Sequence, residues 1–107
     1  MSEFYVSEFY MKVAGVTHEG RQRLVARLQP GQELKFVPDP SNPYDNHAVK
    51  ICTTNGEQIG FVSRDHNPQI FYNLVNGEGS YTVHVENVTG GAIGRNYGCN
   101  IKVVYSR

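Results

Sequence analysis

His47–Ser63 reads HAVKICTTNGEQIGFVS, two apolar runs joined by Asn55-Gly56. Asn-Gly tolerates the positive φ angles of a type I′ turn, so the stretch predicts a β-hairpin. Val49 and Ile51 in the first run and Ile59 and Phe61 in the second are the predicted core residues. Lys50 alternates with Val49 and Ile51 and so faces outward.

Upstream, ELKFV is a second strand, ended by Pro38 and Pro40. Before it, EGRQRLVARLQPG predicts a short helix. Leu24 and Leu28 are one turn apart there, and Pro30-Gly31 stops it. From Phe9 to Val16 apolar and other residues alternate, with Phe9, Met11 and Val13 on one face of a strand. The N-terminal SEFYVSEFY is a two-copy duplication too short for a solenoid repeat. Downstream, HNPQIFYNLVNGEG predicts a helix. Asn67 is the candidate cap, Pro68 suits the first helical position, and Asn76-Gly77 ends it. SYTVHVENV alternates as a strand. The glycine-rich TGGAIGRNYG leads to the last strand, CNIKVVYS. The expected fold is mainly β: a small OB-like or SH3-like bent antiparallel barrel of about six strands with two short helices.

The 107 residues suit one small domain, and ten Lys plus Arg balance ten Asp plus Glu. That balance excludes a polybasic nucleic-acid carpet and an acidic tail; binding to a polyanion would rest on a local patch. The two cysteines, Cys52 and Cys99, form no CxxC pair, which argues for a reducing compartment rather than a disulfide framework. The four histidines, His18, His47, His66 and His84, lack the tight ligand spacing of a structural zinc site. No metal or cofactor is expected. Cys52 lies in a predicted core strand and is a poor nucleophile. No apolar run is long enough to cross a bilayer, and no signal-peptide core is seen. The expectation is a soluble cytoplasmic protein with no membrane partner.

The order VAGVTHEGRQ, PGQEL, VPDPSNPYDNHAVKI, NGEQIGFVSRD, then helix and glycine turn, resembles the HIRAN domain. The resemblance runs from about Val13 to the C-terminus, and its most specific part is Asp39 to Gly60. It places an N-terminal extension with the start of the first strand at 1–12 and the HIRAN domain at 13–107. The resemblance implies an OB-like barrel that binds single-stranded DNA, in eukaryotic members at a free 3′ end. It also implies work in DNA repair or processing beside a helicase or nuclease. The family occurs fused to such enzymes and as stand-alone bacterial proteins. This chain has no P-loop, so the module is expected to be non-catalytic. Eukaryotic DNA-binding members end their first strand in an Arg-Tyr-Tyr cluster. The matching place here reads Thr17-His18-Glu19, which leaves His18 to stack on a base and Arg21 and Arg23 to replace the lost charge. The late-loop aromatic of those members matches Tyr97.

The residues themselves leave two readings each. Tyr44 offers a stacking face for a base or packs on the barrel. Asp45 accepts a hydrogen bond from a 3′-hydroxyl, or it forms an Asx-turn. A carboxylate repels phosphate, so only a strand end would give it a polar role against DNA. Asn42 is a turn former before proline or a ligand. His47 contacts phosphate or pairs across the sheet. Lys50 faces outward, toward DNA or toward solvent alone, and Arg95 is a reachable contact or part of a plain connecting loop. A protein-interaction module with a decayed DNA surface is the competing function.

Overall fold

The computed structural model describes residues 5–107. The first part of the N-terminal duplication therefore lies outside the described residues. In chain order the elements are β1 (Val6–Lys12), α1 (Gln22–Val25), β2 (Glu33–Asp39), β3 (Ala48–Thr53), β4 (Gln58–Phe61), α2 (Asn67–Asn76), β5 (Ser80–Thr89) and β6 (Gly98–Ser106). The six strands form one antiparallel sheet in the order β1-β6-β5-β2-β3-β4.

The sheet is bent until its two edges touch at one point. Ala14, just past β1, pairs with Phe61 at the end of β4, each N–H donating to the other's carbonyl at 2.9 and 2.8 Å. The expected barrel is thus an open sheet closed by a single bridge. Gly60 makes the closure sterically feasible, because a Cβ there would overlap the Ala14 carbonyl and the Val13 side chain. The Ile51/Cys52 and Val85/Asn87 register shifts lie in the sheet that bends, consistent with the way bulges increase local twist.

Val49, Ile51 and Ile59 are fully buried as the hairpin pattern requires. Burying each contributes about 1.5–3 kcal/mol relative to exposure. Phe61 departs from the expectation: it is only partly buried and lines a surface cleft. The hairpin turn departs too. Among its residues only Gly56 has positive φ, at 91°, and Gly56 N–H donates to the Thr53 carbonyl. Asn55 keeps negative φ, so a four-residue turn, Thr53 to Gly56, that ends on a left-handed glycine replaces type I′.

The first helix is shorter than its pattern suggests. It holds one α-helical turn, continued to Leu28 by hydrogen bonds from Arg27 to Leu24 and from Leu28 to Val25. Three-residue spacing of this kind is 3₁₀-like, and it still buries Val25 and Leu28. Helix α2 ends at Gly77, φ 67°, as Asn76-Gly77 predicts. Its N-cap is His66, not Asn67. Asn67 is instead buried at the helix start, with its amide turned to another loop. The helix packs on β3 and β2, which places its N-terminus beside the loop before β3.

Candidate functional site

The loop from Asp39 to Ala48 is built by side chains bonding to backbone. Asn42 Oδ1 accepts from the N–H groups of Tyr44 at 2.9 Å and Asp45 at 3.1 Å, while its Nδ2 donates to Asp39 Oδ2. Asp45 Oδ1 accepts from His47 N–H at 2.9 Å, an Asx-turn. Asp45 Oδ2 accepts from the buried Asn67 Nδ2 at 2.9 Å, so helix α2 fixes the carboxylate from behind. Arg64 Nε is 3.9 Å away on a largely exposed side chain and adds little. With backbone and carboxylate both held, the Tyr44 ring has nothing to lean on and is 86% exposed.

The opposite wall comes from the segment after β1. Arg21 is buried; its Nη1 donates to the Gly15 carbonyl at 2.8 Å and its Nη2 to Glu19 Oε2 at 2.9 Å. The guanidinium lies 5.2 Å from the centre of the Phe61 ring, a cation–π arrangement that ties this wall to β4. Between the two walls is an open cleft of about 820 Å³. His18, Arg21, Asn42, Tyr44, Asp45 and Lys50 all line it. The structure therefore brings together six residues drawn from two distant stretches of sequence.

Three other sequence candidates lie elsewhere. The His47 ring packs edge-on to Phe71 of α2 at 5.2 Å between centroids. Tyr97 is half-buried against the core, and Arg95 is exposed on the glycine-rich loop. That loop is fastened to the Val16 segment by Gln22, whose Nε2 donates to the carbonyls of Val16 and Tyr97 and whose Oε1 accepts from Tyr97 N–H. Sequence reasoning missed Gln22, Phe61, Glu19 and Asn67. Only Asn67 left a trace, a polar residue at a helix start, and it read as the cap rather than as a partner of Asp45.

Titration follows the contacts. The Asn67 amide, then the His47 N–H, hold the Asp45 carboxyl below the usual carboxylate range. Asp45 is thus an anion at neutral pH with lone pairs left for a further donor. Burial pushes the Cys52 thiol up and the Cys99 thiol up to about 11, so neither is a thiolate nucleophile at neutral pH. Among the described residues no three His, Cys, Asp or Glu side chains are grouped to hold a metal ion. No helix is long and apolar enough to cross a membrane.

Compared with known protein families, residues 6–106 match the HIRAN domain. No curated protein sequence matches the chain. Among solved structures, the chain is similar to the crystal structure of the HIRAN domain of human HLTF, with TM-score 0.75 and 19% identity, covering 96% of this chain and 78% of that one. The NMR structure of the HLTF HIRAN domain gives TM-score 0.64 and 18% identity, over 95% and 79% of the two chains. A crystal structure of a protein from Lactobacillus plantarum gives TM-score 0.68 and 13% identity, over 96% and 99%. At these identities the likeness is one of fold.

Proposed function

The chain belongs to the HIRAN domain family, and from that membership we propose that it is a non-catalytic module that binds single-stranded DNA at free 3′ ends. The observation that carries this reading is the pairing of a fully presented ring, Tyr44, with a fixed carboxylate, Asp45, in one cleft. The ring stacks on the terminal base. The carboxylate accepts a hydrogen bond from the terminal 3′-hydroxyl, a group present only at a strand end. Lys50 and Arg64, on the same cleft, meet the phosphates that follow. Work in DNA repair or processing, beside a helicase or nuclease, fits a binding module of this kind.

Asn42 and the Asx-turn of Asp45 are compatible with this role. A turn-forming carboxylate keeps spare lone pairs, and the turn is what aims them. The decayed-surface alternative calls for a buried Tyr44 and scattered cations. Tyr44 is instead exposed, and Arg21, Lys50 and Arg64 share its cleft, although Arg23 and Arg95 do not.

Fluorescence anisotropy with single-stranded, blunt double-stranded and 3′-blocked oligonucleotides tests the proposal. Single strands with a free 3′-hydroxyl bind most tightly. Because few cations face the cleft, the salt slope is shallower than about −4, each neutralised phosphate contributing about −0.7. No binding to any single strand overturns the reading.

A further inference from the structure

Arg21 holds a charge that the loop carrying Tyr44 and Asp45 leaves unused. Among the described residues it is the only buried side chain carrying a formal charge. Its position is fixed by the Gly15 carbonyl and the Phe61 ring, yet its outer nitrogen, Nη2, is occupied by the carboxylate of Glu19. Glu19 itself is 80% exposed at the side chain and makes no other side-chain hydrogen bond among the described residues.

The backbone under Glu19 is costly for that residue. Arg21 N–H donates to the His18 carbonyl, closing a turn whose two central residues, Glu19 and Gly20, have φ of 54° and 73°. Such a turn favours Asn, Asp or Gly at its first central position, and a longer side chain resists the left-handed region. Glu19 is the only non-glycine residue with positive φ among the described residues. A strained residue at the rim of a cleft points to a role for its side chain.

We propose that Glu19 is a built-in competitor for phosphate at Arg21: its carboxylate occupies the guanidinium edge that a DNA phosphodiester would take. This rests on the DNA-binding reading and adds a residue that sets affinity and salt response. A guanidinium edge donates to carboxylate and to phosphate in the same geometry, so the two anions exclude each other. The cation is fixed and the competing carboxylate is free to swing into solvent. Ligand entry therefore exchanges one anion for another and leaves the local charge nearly unchanged. Arg21 contributes little to counterion release until Glu19 is removed.

The test compares the wild-type chain with Glu19→Gln, Glu19→Asn and the charge-matched Glu33→Gln. Glu33 lies at the far end of β2 from Asp39, about 20 Å away by strand rise. Asparagine suits the turn, so its variant keeps the backbone even if glutamine does not; thermal melts verify both. With a labelled single-stranded oligonucleotide at low salt, both Glu19 variants bind about three- to ten-fold more tightly. Their salt slopes steepen by about 0.7, one further phosphate neutralised. Glu33→Gln changes neither quantity. Binding by both Glu19 variants that is no tighter than that of the wild-type chain overturns the inference and assigns the ion pair to loop structure. If no form binds the oligonucleotide, the DNA reading fails separately. Inorganic phosphate followed by the NMR signal of Arg21 Nε–H then decides the inference alone. Saturation at lower phosphate in the Glu19 variants supports it, and identical titrations refute it.

Discussion

Two loops of this chain each set a tyrosine beside a charged residue, and the fold presents them in opposite ways. The loop from Asp39 to Ala48 holds Tyr44 out in solvent and ties Asp45 down. The glycine-rich loop does the reverse: Tyr97 is drawn against the core and Arg95 is left exposed. The backbones explain the difference. In the first, Asn42 and Asp45 accept hydrogen bonds from four backbone or amide donors, so the chain path is set without help from the ring. In the second, Gly90, Gly91 and Gly94 take positive φ, and the chain folds until the Tyr97 ring rests on Gly91. Gln22 locks that arrangement at both the N–H and carbonyl of Tyr97. A polar-braced loop can spare its aromatic for a ligand, whereas a glycine-rich loop uses its aromatic as an anchor.

The sharpest way to break this contrast is to delete each ring. Tyr97→Ala removes an anchor and lowers stability by roughly 2–3 kcal/mol, less than full aromatic burial would give; urea unfolding measures it. An unchanged midpoint would mean that Tyr97 is as unencumbered as Tyr44. Asp45→Ala comes next. It strands the buried Asn67 amide and the His47 N–H, at a cost of about 1–3 kcal/mol. In Asp45→Asn the loss is smaller, since Asn67 can turn its amide to present an acceptor.

Tyr44→Ala separates the roles most cleanly. An exposed ring contributes within about 0.5 kcal/mol to stability. Its loss weakens single-strand binding by about 1–3 kcal/mol, the worth of one stacked base. A destabilised but fully binding variant would reverse the assignment of the two loops.

The smallest effect is in acid. The folded-state pKa of Asp45 is lowered by its hydrogen bonds. Its stabilising contribution is therefore fully present above the unfolded carboxylate value, near about 4, and is lost as pH falls through the lower folded value. After correction for the intrinsic slowing of exchange in acid, hydrogen-exchange protection at the His47 N–H should fall before protection at the Tyr97 N–H, which is held by the neutral Gln22. Simultaneous loosening of both would show that Asp45 does not brace its loop.

The sequence made the strands legible because apolar alternation is local and strict, as in Val49, Ile51 and Ile59. It misplaced Phe61 because alternation cannot tell a core face from a cleft floor covered by Arg21. The turn at Asn55-Gly56 was read correctly as a hairpin but with the wrong geometry, since Asn-Gly also suits a turn with one left-handed glycine. The shared cleft of Tyr44 and Arg21 depends on the Ala14–Phe61 closure. That contact joins residues far apart in sequence and leaves no local pattern. Gln22 reads as one more helix-forming residue, and its clasp on Tyr97 spans the same kind of gap.

If Tyr44 and Asp45 read a strand end, the chain distinguishes two chemical forms of that end. The dissociation constant of the wild-type chain is measured for the same oligonucleotide ending in a 3′-hydroxyl or a 3′-phosphate, at one stated salt concentration. A phosphate brought near the Asp45 carboxylate is repelled, and after screening the penalty is about ten-fold in affinity. Asp45→Asn narrows that gap, and Tyr44→Ala weakens both ligands alike. Equal affinity of the wild-type chain for the two ends would mean that Asp45 does not meet the terminal hydroxyl.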